Sequence, residues 1–388
     1  MGLVKNEFVK FMGKFDACPF EMILSGEKHL IGKGKPAFSV VFRKIPAIGD
    51  LMTSTSITLG EAYMNGDIEI SGNLYDALNL FLGQISKFST DSKKLKKLIF
   101  TSSSKRNQKK EVSSHYDIGN DFYKLWLDET MSYSCGYFQT DSDTLSDTQR
   151  NKVNRTLDKL CLEKGMTLCD IGCGWGFLLI QAAKKYGVYG VGITLSKEQK
   201  KEGEKRIREE HLEDYVSIRL LDYRDLPSLG VQFDRVVSIG MVEHVGRKNY
   251  GEFMKCVKQI LKPGGLFLLH YISALKEYPG DAWIKKYIFP GGVVPSLREI
   301  IHIAGEERFY TLDVESWRRH YNKTLLCWNE NFQKHRDQVV KMFDEKFARM
   351  WELYLCACAA TFQNGIIDLH QLVFTNDVNN ALPMIRWY

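Results

Sequence analysis

The stretch CDIGCGWGF, residues 169–177, narrows the fold of this chain more than any other. It follows the apolar run MTLCDI (166–171) and precedes the amphipathic FLLIQAAKKYG (177–187), so it reads as a strand-to-helix turn. Gly172, Gly174 and Gly176 let the backbone turn tightly and let a ligand approach main-chain N–H groups with no Cβ in the way. Dinucleotide-binding folds use this location for a pyrophosphate. Here the spacing differs and Asp170 precedes the first glycine. An acid suits a cationic amine better than a phosphate, which points to an amino-acid-like cofactor.

The pattern repeats down the chain. Strands are expected at VYGVGI (188–193), VSIRLLD (216–222), FDRVVSIG (233–240) and GLFLLHYI (265–272), with the charged helix SKEQKKEGEKRIREEH (196–211) among the connections. Such alternation implies a parallel sheet covered on both faces. In an open α/β sheet, ligands sit beyond the carboxyl ends of the strands. Those ends are 170–176, 194–199, 222–224, 240–244 and 270–273. Downstream, a long helical pattern is expected from Trp328 to about Phe362, then a strand over DLHQLVFTN (368–376).

Residues 1 to about 90 read as a separate small α+β domain. FSVVFR (38–43) and SITLGEAYMNGDIEISG (56–72) look like strands, and LYDALNLFL (74–82) has helical spacing. A basic linker (91–112) follows, and residues 113–388 form the catalytic domain in this reading. Between Lys93 and Lys110, eight of eighteen residues are Lys or Arg, which fits either a solvated linker or a patch that meets phosphate. No uninterrupted apolar run reaches the length of a bilayer span, and MGLVKNEFVKFMGK lacks a signal-peptide core, so a cytoplasmic protein is expected. Nine cysteines without a C-x-x-C pair argue for reduced thiols, and the histidines and cysteines show no zinc-ligand spacing. Cys135 lies in the uncharged aromatic run MSYSCGYF (131–138), where it could be a nucleophile, a metal ligand, a redox thiol or part of a pocket wall.

The glycine loop resembles the first motif of the class I S-adenosylmethionine-dependent methyltransferases, and LKPGG (261–265) resembles the turn before that fold's fifth strand. Where the generic class has an acid after strand two, this chain reads GITLSKEQ, leaving Thr194 and Gln199 to serve the ribose. That departure, with SSHYDIGNDFY (113–123), YSCGYF (133–138), GCGWG, SIGMVEHVG (238–246), KYIFPGG (286–292) and YNKTLLCW (321–328), resembles the cyclopropane fatty acid synthase family from about residue 110 to about 378. ATFQNG (360–365) departs from it, since FR is expected where Phe362 and Gln363 stand. The additional amino-terminal residues resemble those of bacterial enzymes that act on intact phospholipids.

The resemblance implies a Rossmann-like domain with a mostly parallel seven-stranded sheet. It also implies alkylation of a cis alkene in an acyl chain by the sulfonium methyl, then loss of a proton to close a cyclopropane ring. Such chemistry needs a dry site and a base beside the methyl. By resemblance, that base is a bicarbonate ion held by Glu243, His270 and Tyr321, with main-chain help near Cys135 and Ile272. The expected cofactor residues are Tyr133, Ser134, Asp170, Gly172, Gly174, Trp175, Gly176, Thr194, Gln199, Asp222, Tyr223 and Arg224. Tyr137, Phe138, Tyr271, Tyr287 and Phe289 are candidates for lining the mouth, or for ordinary packing. Glu315 is a further base candidate, His115 a lid residue, and Cys358 a reactive-thiol candidate on an apolar helix where cysteines are usually inert. The family suggests a homodimer, with unsaturated phospholipid at a membrane surface as substrate. Rival readings are a fatty-acyl C-methyltransferase that leaves a methyl or methylene branch, and a lipid-binding protein without catalysis. Nucleic acid is not an expected partner, for want of polar base-flipping motifs.

Overall fold

A computed structural model of the chain describes residues 2–90, 118–386 and 388. The basic linker and His115 lie outside them. The described chain forms two compact units, and their membership is discontinuous. The first comprises residues 2–90, 280–290 and 325–366; the second comprises 118–279, 291–324 and the rest from 367. The expected catalytic domain over 113–388 therefore differs from the compact division, because two of its segments belong with the amino-terminal residues.

In the first unit, β1 (Phe20–Leu24), β2 (Glu27–Ile31), β3 (Ser39–Phe42) and β4 (Ile68–Ser71) form a sheet in the order β2-β1-β3-β4. Phe15, Phe20, Phe38 and Phe81 meet edge-on or stacked, with centroid distances of 5.2–5.7 Å. The stretch 56–72 is not all strand: Thr55–Met64 is a helix, capped by the Ser54 hydroxyl accepting from Ile57 N at 3.3 Å, and only Ile68–Ser71 pairs as β4. Its β-branched residues favour a strand locally, but tertiary packing wins. A Cβ on Gly60 of this helix would fall 2.6 Å from the Trp283 ring. The expected long helix from Trp328 is three: Arg318–Lys334, Arg336–Met342 and Glu345–Gln363, the last restarted by the Asp344 cap. Helix Glu345–Gln363 joins this unit through Arg349, which donates to Tyr63 O at 2.6 Å and Ile68 O at 2.8 Å. Asn364, its C-cap, donates to Asn79 O at 3.0 Å.

The second unit is the expected α/β layer structure. Strands β5 (Thr167–Ile171), β6 (Tyr189–Thr194), β7 (Val216–Leu220), β8 (Phe233–Ile239), β9 (Leu261–Ser273), β10 (Phe309–Ser316) and β11 (Asp368–Asn376) lie in the order β10-β11-β9-β8-β5-β6-β7. Strands β5 to β9 run parallel; β11 and β10 are antiparallel to their neighbours. LKPGG opens β9 rather than preceding it, with a register irregularity opposite Phe233 and Arg235 and Gly264 at φ +72°. Phe267 and Leu269 enter one apolar core and Leu266 and Leu268 the other, so β9 is buried on both faces. The chain reverses its winding between β5 and β8, and the carboxyl ends there form a crevice.

Close approach of the helix Phe177–Tyr186 to β6 fixes the glycine loop above that crevice. A Cβ on Gly192 would lie 2.6 Å from Cys173 Sγ and 2.9 Å from Leu179 Cδ1. We expect Gly192→Ala to lower stability by about 1–3 kcal/mol through overpacking. The measurement is the denaturant midpoint at unchanged slope; an unaltered midpoint would show that the helix can retreat freely.

Candidate active site

A pocket opens beyond the ends of β5, β6 and β8, lined by 130–134, 170–175, 193–195, 221–224 and 239–241 together with Lys152, Gln199 and His244. Its floor is the glycine loop. Gly172, Gly174 and Gly176 have φ of +88°, +53° and +81°, the left-handed region in which a Cβ is strained. A Cβ on Gly172 would also press on Met241 at 3.0 Å, whereas Gly174 has open space where a side chain would stand. Gly176 caps the helix Phe177–Tyr186 and is not among the lining residues.

Asp170 is buried at the end of β5. Burial pushes its carboxyl up to about 7, against a lowering influence of Lys152. Lys152, on helix Leu145–Lys159, is itself only 2% exposed, and burial lowers it to about 8 against Asp128, Cys135 and Asp170, which raise it. After β6, Thr194 Oγ1 donates to Gln199 Oε1 at 2.7 Å and accepts from Ser196 N at 3.1 Å. Gln199 is thereby turned with its amide N–H₂ as the available end. Asp222 is occupied differently: its two oxygens accept from Arg224 Nε and Nη2, each at 2.7 Å. The Tyr223 ring lies in the core, 5.4 Å from Phe253.

Residues 131–134 of the run MSYSCGYF line the pocket, and 135–138 continue from them into the surrounding packing. Gln149 Nε2 donates to Ser134 O at 2.9 Å and Lys152 Nζ to Ser134 Oγ at 2.8 Å. Gly136 N donates to Thr324 Oγ1 at 3.0 Å, and a Cβ there would fall 2.3 Å from Thr148 Oγ1. Tyr137 N donates to Thr148 O at 2.8 Å and Phe138 N to His320 Nδ1 at 3.1 Å. Tyr133 packs 5.6 Å from Tyr123, which meets Trp175 at 5.5 Å, and Trp175 Nε1 donates to Asn120 Oδ1 at 2.9 Å. Cys135 is fully buried, its thiol within 3.9 Å of Trp317 O and pushed far above its ordinary pKa by burial. Such a thiol does not ionise and is a poor nucleophile.

Beside this run the ends of β8 and β9 gather Glu243, His270 and Ile272. Ile272 N donates to Glu243 Oε1 at 2.7 Å, and Gly240 N to His270 O at 2.8 Å. His270 Nδ1 faces Gln371 Nε2 at 3.5 Å, and its ring meets Trp317 edge-on at 5.1 Å. Among the described residues, Glu243 Oε2 and His270 Nε2 are buried without a hydrogen-bond partner. Burial raises Glu243 to about 7 and lowers His270 to about 3, the latter with Lys152 and Lys159 acting in the same direction. Tyr321 follows Trp317 on the next helical turn, its N–H donating to Trp317 O at 3.1 Å.

A family description, "Mycolic acid cyclopropane synthetase", matches residues 103–372, and a domain of unknown function matches residues 9–93. The chain belongs to the mycolic acid cyclopropane synthetase family. It is 39% identical over 342 residues to the cyclopropane-fatty-acyl-phospholipid synthase of Escherichia coli K12, covering 85% of this chain and 86% of that one. A Pseudomonas putida protein named "Probable fatty acid methyltransferase" is 37% identical over 361 residues, covering 90% and 91%. Among solved structures, the cyclopropane synthase MmaA2 from Mycobacterium tuberculosis has a TM-score of 0.66 at 33% identity, covering 69% of this chain and 98% of that one. A mycolic acid cyclopropane synthase complexed with SAH and CTAB has a TM-score of 0.66 at 34% identity, with the same coverage. With the family comes the enzyme class, an S-adenosylmethionine-dependent methyltransferase of the cyclopropane synthase type on the class I methyltransferase fold.

Several residues expected from that resemblance stand elsewhere than in this pocket. Cys358 lies on helix Glu345–Gln363 in the first unit, and burial pushes its thiol up to about 12. Tyr287 and Phe289 belong to the same unit, where Phe289 meets Tyr354 edge-on. The Tyr271 ring is buried in the sheet core. Glu315 is not a poised base. Burial would raise it, but Arg155 and Lys159, bonded at 2.7–3.0 Å, hold it down at about 2. Sequence reasoning missed Gln149 and Lys152; the only signal in the sequence was two polar residues three apart in a polar stretch.

Between about pH 4.5 and pH 7 the folded protein keeps a proton on Glu243 that the unfolded chain has released. The contribution of this group to stability therefore falls as pH rises through that window. Glu243→Gln removes the penalty, so the variant should gain on the wild type with rising pH, by up to ~3 kcal/mol above the window. Parallel stability curves for the two proteins across this range would contradict the burial argument.

Proposed function

We propose that the protein adds a methylene bridge across the cis double bond of unsaturated acyl chains in phospholipids, with bicarbonate as the base. The observation that carries this reading is the pair of buried, unpartnered atoms Glu243 Oε2 and His270 Nε2 at neighbouring strand ends. With the Gln371 amide nitrogen facing Nδ1, the imidazole proton belongs on Nε2, so the pair presents a donor beside a carboxylate. The pair fits bicarbonate: the His270 N–H would donate a hydrogen bond to it, and Glu243 Oε2 would accept one from its hydroxyl. Ile272 N–H fixes Glu243 from behind, and Tyr321 completes the set by resemblance. Bound bicarbonate would supply a proton acceptor where a neutral His270 and a half-protonated Glu243 are poor bases.

S-adenosylmethionine supplies the methyl group. Asp170, the left-handed glycines, Thr194 with Gln199, and Tyr133 with Ser134 would hold it, and a buried carboxylate beside open Gly174 suits its amino-acid end. Tyr133 and Ser134 in the lining, backed by the buried Cys135 as a small apolar filler, would help keep water from the reacting alkene. Residues 1–90 and the basic segment that follows would serve attachment to anionic lipid surfaces, with the protein peripheral to the inner face of the membrane and homodimeric. Among the described residues no helix is long and apolar enough to cross a membrane.

Incubation with labelled S-adenosylmethionine and vesicles of unsaturated phospholipid should give ring-bearing fatty esters, and bicarbonate-free buffer should slow turnover until bicarbonate is restored. A branched ester without a ring would favour a C-methyltransferase instead, a reading supported by the Pseudomonas relative's name. Cys135→Ser should reduce turnover without abolishing it. Complete loss with an intact fold would revive a covalent role for the thiol.

A further inference from the structure

Lys152 is a charged element of the pocket that the reaction, as derived so far, leaves unexplained. Its ammonium is buried, yet among the described residues neither it nor Asp170 forms an ion pair. A buried charge without a counter-charge is costly unless something else supplies one. Both groups line the same pocket, and its other buried carboxylate, Asp222, is already paired with Arg224, so Lys152 and Asp170 are the buried cation and buried anion of the lining that no ion pair takes up. That is the complement of a zwitterion.

Hydrogen-bond directions give the arrangement a polarity. An ammonium has three donors and no acceptor. Two of them go to Ser134 Oγ at 2.8 Å and Gln149 Oε1 at 2.6 Å, leaving a third. Ser134 Oγ accepts from Lys152, so its own proton is free to point elsewhere. Gln149 is fixed in its turn, with its amide N–H₂ donating to Ser134 O at 2.9 Å. The outcome is a rigid pair of donors, ammonium and hydroxyl, on one wall of the pocket. Such a pair recognises an anion; Asp170 recognises a cation.

We infer that Lys152, with the Ser134 hydroxyl, binds the α-carboxylate of the amino-acid end of S-adenosylmethionine, opposite Asp170 on the ammonium of the same group. The inference rests on the cofactor proposed above and names a residue that the glycine-loop motif does not contain. It makes Lys152 a specificity residue rather than a strut for Ser134.

The test is calorimetric binding to the full-length protein of S-adenosylhomocysteine and of its decarboxylated counterpart, for the wild type and Lys152→Met. The wild type should prefer the carboxylate-bearing ligand by roughly ten- to a hundred-fold, the range of a charge-assisted hydrogen bond. Lys152→Met should lose most of that preference, with little change toward the decarboxylated ligand, and Lys152→Arg should keep part of it. If Lys152 only props Ser134, the variant weakens both ligands equally and the preference survives, which overturns the inference. A wild type that binds neither ligand would overturn the cofactor assignment and this inference with it. A wild type that binds both alike would overturn this inference alone. Should Lys152→Met fail to fold, Lys152→Gln gives the same comparison with a donor but no charge.

Discussion

The carboxyl edge of the seven-stranded sheet is governed by how ionisable side chains are kept buried there. Asp170 and Lys152 line the pocket, Glu243 and His270 are buried at neighbouring strand ends, and burial pushes every one of them toward its neutral form. None is held by an ion pair of its own within the described residues. The fold tolerates this because the backbone around each is fully engaged. Ile272 N–H is committed to Glu243, Ser134 is gripped from the helix Leu145–Lys159, and the glycine loop is locked between β6 and Met241. Rigidity of this sort is what permits unsatisfied polar groups to persist.

The contrast with the cluster around Lys159 makes the point sharper. Lys159 is equally buried and lies two turns further along the same helix, but it contacts both Asp313 at 3.0 Å and Glu315 at 2.7 Å. That is a closed structural network with no demand for a ligand. Two lysines on one helix, at similar burial, thus have opposite meanings. What separates them is whether a carboxylate stands at ion-pair distance.

Much of this was legible from residue order. The strand–turn–helix rhythm places β5 to β9 within a residue or two, except at LKPGG, where the amino-terminal end of β9 reaches back through the turn. The lining residues at 170–175, 193–195, 221–224 and 239–241 were legible because they end or follow strands, and strand ends converge by topology. Other features depend on distance in the sequence. Thr55–Met64 reads as strand by its Thr and Ile content, and becomes a helix through the Ser54 cap and packing against Trp283. Segments 280–290 and 325–366 leave no mark of their compact unit, since membership is set by partners such as Tyr63 and Asn79. Lys152 was hidden because a lysine in a polar helix looks the same in sequence whether it faces water or a cofactor.

The interrupted first unit has a consequence for how the chain comes together. Its tie between Arg349 and Tyr63 spans 286 residues, and that between Asn364 and Asn79 spans 285. During synthesis, the amino-terminal sheet and helix Leu74–Leu82 emerge long before helix Glu345–Gln363 exists to bond with them. Contacts of such high separation form late and slowly. The emerging segment must therefore wait, with the apolar faces it will later bury still open, for nearly the whole chain to be made. The unit that begins first is completed after almost everything else.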